Sequence, residues 1–253
     1  MKLKRELGLF STTLYGIGVI LGAGIYALIA PGAALAGNML WFAFLISAFI
    51  AIFTALSYAE LVGIFPKEAA EYNYTRRAFR AEWAAFLVGW VLAIGSVVAA
   101  STVALGFGGY FNALTGAEPA APAIGLIALM TLLNYIGIKE SSDFNTIATL
   151  MEVLGLVIVV AAGLTSPPEA QVDLLQPPAS GFAGIMAAVS AIFFAFIGFE
   201  NLANLSEEVK DSRNTIPKSL ILSLAISTVL YMLVAIAAAR EVGWEALSHS
   251  KAP

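Results

Sequence analysis

The chain has 253 residues, of which 60% are hydrophobic and only 12% are charged, and its mean hydropathy is +0.87. Soluble globular domains carry about 25% charged residues, so this composition indicates an integral membrane protein. The absence of cysteine excludes disulfides, thiol nucleophiles and thiolate metal sites. The single histidine, His249, argues against an imidazole-based catalytic or metal site, and no basic stripe indicates nucleic-acid binding.

Seven apolar segments of about 20 residues follow one another along the chain, and this length crosses roughly 30 Å of hydrocarbon. They are 9–30, 38–62, 83–111, 122–138, 144–165, 181–205 and 218–239. Pro31-Gly32 and Gly37-Asn38 predict the turn between the first two spans. Residues 67–80 predict a short amphipathic helix at the membrane surface, and the proline-containing segment 165–181 predicts a loop.

Two of these spans are interrupted by glycine-containing segments, Gly22-Ala23-Gly24 in the first and Phe194 to Gly198 in the sixth. Freed backbone groups are costly in lipid, so such breaks occur where protein or a water-filled cavity surrounds them. Half-helix ends that face a cavity bind polar ligands without charged side chains. The paired breaks therefore predict a carrier for a small polar solute. The alternative for the first break is close helix packing, because Gly18 and Gly22 form a GxxxG spacing.

Basic residues concentrate in alternate loops. They precede span one and lie between spans two and three, four and five, and six and seven, as Lys2, Lys4, Arg5, Lys67, Arg76, Arg77, Arg80, Lys139, Lys210, Arg213 and Lys218. Because cytoplasmic loops carry the excess of Lys and Arg, we expect a multi-pass protein of the cell membrane with a cytoplasmic N-terminus. The C-terminal tail of this chain would then lie outside. This orientation, and the lack of lysine between Ser219 and Ala239 in span seven, argue against seven-helix receptors and retinal proteins.

Four motifs resemble, in order, those of the amino acid–polyamine–organocation superfamily, which contains the amino acid permeases. They are the first-helix motif 15–26, the end of helix two at 58–61 with 65–72, the broken sixth helix at 192–200, and the following loop at 207–211 with 215–218. The chain departs from the pattern at Ala69-Ala70, where such permeases often have Gly-Gly. That departure bears on the flexibility of the loop.

The resemblance implies an all-α integral membrane protein with about seven transmembrane helices, of which helices one and six are broken. Residues 1–165 would form the first repeat of the five-plus-five transporter fold. Residues 166–253 would form the first two helices of the second, inverted repeat and a tail. Since the family usually has twelve helices, the chain is expected to be a fragment or to need a partner chain that supplies the missing C-terminal helices.

The resemblance also implies a substrate site near the bilayer midplane. Backbone amides would hold the carboxylate of an amino acid, aided by the positive end of a half-helix dipole, and these belong to Ile20, Gly22, Ala23 and Gly24. Carbonyls near the sixth-helix break would accept hydrogen bonds from the ammonium group, at Phe193, Phe194, Ala195 and Ile197. Phe194 matches the position of an aromatic gate over the substrate, and its alternative role is core packing.

Glu152 is the most informative charged residue. Counted from a predicted cap at Ser142 or Asp143, it lies about nine residues into span five, or ~14 Å at 1.5 Å per residue. A carboxylate near the midplane is expensive and functional by default. In proton-coupled relatives a lysine at the matching position replaces a sodium ion. The residue in this chain is acidic, so that mechanism does not transfer unchanged. Glu152 is predicted to couple protons or, alternatively, to be an uncharged hydrogen-bonding group, and Glu200 is a second candidate for coupling or gating.

The predicted function is secondary active transport of amino acids across the cytoplasmic membrane by alternating access, as proton-coupled symport or exchange. H⁺ is favoured over Na⁺ as the coupling ion. The predicted partners are an amino acid and the lipid bilayer, and no cofactor, metal or catalytic residue is expected. The alternative is a non-transporting membrane module or a partner subunit that needs another chain to complete its fold.

Overall fold

The computed structural model describes residues 5, 7–67, 69–136, 138–166 and 172–250, without the side chains of Ala23, Ile136 and residues 138–143. The described residues are almost entirely helical, and their single β-bridge joins Leu7 to Val209. The α-helices are α1 (Leu9–Ala36), α2 (Leu40–Ile64), α3 (Ala70–Phe79), α4 (Glu82–Thr115), α5 (Ala120–Ile136), α6 (Ile138–Thr165), α7 (Gly181–Ile192), α8 (Asn201–Asn204) and α9 (Ser212–His249). Short 3₁₀ helices occupy Gly37–Met39 and Phe193–Phe196. The prediction of an all-α fold is confirmed.

Five helical stretches of the described chain are long and apolar enough to cross a bilayer. They are Gly24–Ile64, Glu82–Thr115, Phe144–Thr165, Gly181–Asn204 and Ser212–His249. Two shorter apolar helices, Leu9–Gly22 and Ala120–Tyr135, coincide with parts of the first and fourth predicted spans. The chain is therefore a multi-pass membrane protein, and the number of seven crossings stays a prediction.

The turn between α1 and α2 lies at only one of its two predicted positions. The 3₁₀ helix begins at Gly37, whose φ of 56° is in the left-handed region that favours glycine. Pro31 and Gly32 lie inside α1 instead. Proline is tolerated in membrane helices because neighbouring groups satisfy the freed backbone. Gly32 serves close packing, since a Cβ atom added there would lie 2.7 Å from the Leu40 side chain.

The start of α6 also differs from the sequence-based expectation. The helix begins at Ile138, so Ser142 and Asp143 lie within it and do not form its cap. The apolar part of α6 that could cross a membrane is Phe144–Thr165, which matches the predicted fifth span. Glu152 lies near the middle of this stretch, as expected for a residue at bilayer depth.

The described chain divides into two compact units, which interleave along the sequence. One unit contains the described residues within 1–13, 55–144 and 200–220, and the other contains those within 14–54, 145–199 and 221–253. These units are clusters of contacts and not the two predicted repeats, so the repeat boundary at residue 165 stays a prediction. Both predicted helix breaks belong to the second unit, which we call the break unit.

The other unit contains the predicted amphipathic helix, which the structure places at α3. Ala69 precedes this helix with φ of 51°, and the N–H of Ala70 donates to Asn204 Oδ1 at 2.9 Å. The Glu71 side chain accepts a hydrogen bond from the Tyr58 hydroxyl at 3.0 Å. Burial, and secondarily the Glu71 carboxylate, raise the pKa of Tyr74 to about 12. Residues 172–180 contain no helix, in agreement with the predicted loop, whereas 167–171 lie outside the described residues.

Candidate functional site

The first helix break is present where the sequence predicts it. Gly22 interrupts α1 with φ of −2° and ψ of −157°, far from helical values. Two residues later, Gly24 lies directly against the second break. A Cβ atom added to Gly24 would lie 2.7 Å from Ala195 Cα and 3.0 Å from Ala195 Cβ. Only glycine at position 24 therefore allows the two backbones to approach this closely.

The second break is also present. The α-helical geometry of α7 ends at Ile192, a 3₁₀ helix follows over Phe193–Phe196, and residues 197–200 form a turn. Gly198 has φ of 125°, a conformation that side-chain-bearing residues rarely adopt. A Cβ atom added at Gly198 would lie 2.6 Å from the Val19 side chain. The glycines of both breaks thus permit close backbone approach.

Tyr231 of α9 joins the two breaks. Its hydroxyl contacts the backbone carbonyl of Ile20 and also the carbonyl of Ala195, the latter at 3.0 Å. A phenol has one proton, so the two carbonyls share this donor. The Tyr231 ring is fully buried, with ring centroids 5.3 Å from those of both Phe44 and Phe196. The side chain is therefore held in place while its hydroxyl satisfies carbonyls that the helix breaks leave free.

The sequence-based reasoning did not identify Tyr231. One signal could have revealed it, because it is the only tyrosine within the apolar segment 218–239. A buried tyrosine usually finds a hydrogen-bond partner for its hydroxyl. In a membrane span such a partner is most readily a carbonyl released by a break in a neighbouring helix.

The predicted ammonium-binding carbonyls are partly occupied by protein donors. The Phe194 carbonyl accepts from the N–H of Ile197 at 3.1 Å, and the Ala195 carbonyl accepts from Tyr231. Each carbonyl has two lone pairs, so each can accept one further hydrogen bond. Phe194 is 45% exposed and Ile197 is 48% exposed, whereas Ala195 and Phe196 are buried. The aromatic core at this break forms around Phe196, and the gate role of Phe194 stays a prediction.

Glu152 lies on the side of α6 that approaches the first break. One helical turn earlier, Thr149 is buried against α1, since a Cβ atom added to Gly18 would clash with its hydroxyl. Glu152 itself is half-buried, and it is close enough to Tyr231 for its charge to act on the phenol. The predicted coupling residue therefore lies within electrostatic range of the tyrosine that joins the breaks.

Glu200 belongs to the other compact unit. It follows Gly198 in the turn 197–200, is half-buried, and lies within electrostatic range of Tyr58. Its predicted role in coupling or gating stays a prediction. Among the described residues, no group of three or more His, Asp or Glu side chains is arranged to hold a metal ion.

Comparison with known proteins decides the family. The sequence profile of the family described as amino acid permease matches residues 7–252. The chain belongs to the amino acid permease family. It is 38% identical to the branched-chain amino acid permease BcaP of Bacillus subtilis (strain 168), over 92% of this chain and 54% of that protein.

Two further relatives are similar to the chain over most of its length. The chain is 34% identical to the methylthioribose transporter of Bacillus subtilis (strain 168), over 92% of this chain and 54% of that protein. It is 29% identical to cationic amino acid transporter 4 of Homo sapiens, over 99% of this chain and 43% of that protein. The chain thus spans about half the length of the curated relatives it matches.

Membership of the permease family confirms the resemblance drawn from the four motifs. The relatives are named as permeases and transporters and not as enzymes, in agreement with the prediction that the chain is not an enzyme. The long apolar helices of the structure and the family both place the chain in a lipid bilayer.

Proposed function

We propose that the chain forms the substrate-binding part of an amino acid transporter that works by alternating access around its two helix breaks. The observation that carries this proposal is the meeting of the breaks. Gly24 lies against Ala195, Gly198 lies against Val19, and one buried tyrosine hydroxyl contacts carbonyls of both breaks. Unwound backbone at bilayer depth is typical of transporter binding sites.

The polarity of the two breaks fits a zwitterion. The part of α1 after Gly22 begins at its break, so the amides of its first turn lack intrahelical acceptors and its positive dipole end lies there. The α-helical part of α7 ends at its break, which leaves carbonyls at the negative dipole end. The carboxylate would bind the amides at Ile20 and at 22–24, and the ammonium group would bind carbonyls at 193–197.

The substrates for which the relatives are named give a starting point for choosing the amino acid side chains to test. One relative is named for branched-chain amino acids and another for cationic ones. Leucine is therefore the first substrate to test, with arginine beside it. Because both would be held by the same backbone groups, their relative uptake reports on the side-chain pocket alone.

The proposed orientation places the N-terminus in the cytoplasm and the C-terminal tail of this chain outside. Its support is the placement of Lys and Arg in alternate loops. In the structure, the arginines near α3 are exposed, at Arg76, Arg77 and Arg80. Exposed guanidinium groups at one end of the spans suit the anionic surface of the cytoplasmic leaflet.

We also propose that Glu152 carries the coupled proton, as symport or exchange driven by H⁺ in preference to Na⁺. Burial in hydrocarbon disfavours a charged carboxylate. Tyr231 lies within electrostatic range of Glu152, and its hydroxyl contacts a carbonyl of each break. Protonation of Glu152 would then change the electrostatics of the phenol that binds the carbonyls of Ile20 and Ala195. That change gives the proton a route to influence the substrate site.

The test is leucine uptake by the intact protein in liposomes with imposed pH or sodium gradients. Glu152→Gln fixes a neutral side chain of nearly the same shape, so it should retain leucine exchange and lose accumulation driven by the pH gradient. Glu245→Gln, the same change at an exposed position, is the control and should accumulate leucine normally. Unchanged pH-driven accumulation in Glu152→Gln would assign the proton to another group. Absence of any leucine uptake or exchange by the wild-type protein would favour the non-transporting module.

A further inference from the structure

A basic and aromatic surface lies outside the break unit, at the corner where α3 ends and α4 begins. The last residue of α3 is Phe79, and the first residue of α4 is Glu82. Arg80, between the two helices, has φ of 52°, and its backbone N–H donates to the Arg76 carbonyl at 2.9 Å. This left-handed residue ends α3, so the basic last turn of α3 is followed directly by the long apolar helix α4.

Glu82 fastens the two helices at this corner. Its carboxylate accepts a hydrogen bond from Arg76 Nε at 2.6 Å and another from the Tyr72 hydroxyl at 3.2 Å. The ion pair neutralises Arg76. The one acidic residue of α3, Glu71, accepts a hydrogen bond from Tyr58. Within the part of the chain that the structure describes, neither carboxylate forms an ion pair with a second arginine.

Arg77 and Arg80 therefore carry positive charges without an acidic partner among the described residues. Both residues are exposed. The Arg77 guanidinium lies over the Phe65 ring, 4.5 Å from its centroid, and this contact positions the charge without neutralising it. Because Arg77 and Arg80 are close in the sequence, their Cα atoms are at most about 11 Å apart. Two arginine side chains bridge such a distance, so both charges are available to one anion.

An exposed aromatic stripe continues from these arginines along α4. Trp83, Phe86 and Trp90 have the spacing of one helix face, and all three are exposed. The rings of Phe86 and Trp90 are stacked, with their centroids 6.4 Å apart. From Trp83 to Trp90 the stripe extends over roughly 10 Å, at 1.5 Å per residue. Phe79, at the end of α3, adds another exposed ring before the corner.

Fixed cations followed by an apolar stripe match the chemistry of a phospholipid with an anionic headgroup. Arginine binds phosphate oxygens with paired, charge-assisted hydrogen bonds. The aromatic rings offer apolar surface to the first part of an acyl chain, and tryptophan is typical of the headgroup level of a bilayer. The ammonium group of phosphatidylcholine compensates its own phosphate, whereas phosphatidylglycerol keeps a net negative charge. Two uncompensated arginines therefore favour the anionic lipid.

We infer that this corner is a binding site for one anionic phospholipid, whose phosphate contacts Arg77 and Arg80 and whose acyl chains lie along the aromatic stripe of α4. We call the surface formed by the two arginines and the stripe the lipid site. It is more specific than the general attraction of basic loops to a membrane, because it excludes Arg76, which Glu82 neutralises. It goes beyond the proposed function and is independent of the break site, so a failed test of one does not affect the other.

The test is photo-crosslinking of the intact protein in phosphatidylcholine vesicles that contain a trace of a lipid with a photoreactive acyl chain. The probe is either phosphatidylglycerol or phosphatidylcholine, and peptide mass spectrometry measures the adducts on residues 79–90. We expect the phosphatidylglycerol probe to give at least about fivefold more adduct there, which is the preference that one basic residue near a membrane surface provides. Equal yields from the two probes in the wild type would overturn the inference.

Charge variants assign the preference to the two arginines. Arg77→Gln with Arg80→Gln should make the two yields equal, whereas Arg77→Lys with Arg80→Lys retains both charges and should retain the preference. Arg213→Gln is the matched control and should leave the preference unchanged, because it removes an exposed arginine that no aromatic residue follows within 214–220. A preference that persists in the glutamine variant, or that is lost in the lysine variant or in Arg213→Gln, would overturn the lipid site. Size-exclusion chromatography of each variant establishes that the protein analysed is folded.

Discussion

Gly24 contacts Ala195, and Gly24→Ala adds a single methyl group at this contact. The structure therefore allows a quantitative prediction of its effect on the Kd for leucine. The added Cβ atom would lie 2.7 Å from Ala195 Cα and 3.0 Å from Ala195 Cβ. Carbon atoms in contact prefer about 3.5–4.0 Å, so the two breaks must separate by about 1 Å. Because the close atoms belong to the backbone, no side-chain rotation can relieve this contact.

Overpacking of this kind costs about 1–3 kcal/mol. If that cost falls on the arrangement that binds substrate, the Kd for leucine rises about 5-fold to 150-fold, at about 1.4 kcal/mol per tenfold. The assay is equilibrium binding of leucine to the intact protein. Gly155→Ala is the matched control, since a Cβ atom there meets nothing within 4 Å.

A compensating variant sharpens the test. Ala195→Gly removes the atom 3.0 Å from the new methyl group but leaves the Cα atom at 2.7 Å, so Gly24→Ala with Ala195→Gly should recover part of the lost affinity. A double-mutant cycle then gives the coupling between the two breaks. Wild-type affinity in Gly24→Ala, together with normal affinity in Gly155→Ala, would show that the substrate does not bind between these breaks.

Three further predictions concern the buried tyrosine, the loop before α3 and the orientation. Tyr231→Phe leaves two break carbonyls without their shared donor, so thermal unfolding should show a loss of about 1–3 kcal/mol in stability. An unchanged melting temperature would contradict the role given to the Tyr231 hydroxyl. Ala69→Gly relieves a left-handed φ and should raise the melting temperature by about 2–4 °C. Ala70→Gly, inside the helix, should lower the melting temperature. Equal effects of the two changes would refute the backbone strain assigned to Ala69. A cysteine at Arg77 should react with an impermeant reagent only from the cytoplasmic side and one at Asp173 only from outside, and the reverse pattern would overturn the topology.

The sequence was informative about features that depend on local composition. Glycine-containing segments inside apolar spans located both breaks, because few other residues permit such departures from helical geometry. The charge pattern of residues 67–80 likewise located α3, although the helix begins at Ala70. The error at Pro31-Gly32 has a physical cause, since a turn signal in a soluble protein is tolerated inside a membrane helix.

Features that depend on tertiary contacts were not accessible from the sequence. The hydroxyl of Tyr231 contacts carbonyls 211 and 36 residues away, and no local pattern links these positions. The approach of Thr149 to Gly18 is of the same kind. The hydrogen bond from Asn38 Nδ2 to Gln176 Oε1 likewise joins residues that are far apart in the sequence.

The most direct measurement is an experimental structure of the intact protein with leucine bound. We predict that its carboxylate oxygens lie within about 3.2 Å of amide nitrogens in the segment 20–24. Its ammonium nitrogen should lie at the same distance from a carbonyl oxygen of residues 193–197. Leucine bound away from the breaks, or held at the breaks by side chains without these backbone contacts, would contradict the proposal that the two helix breaks form the transport site.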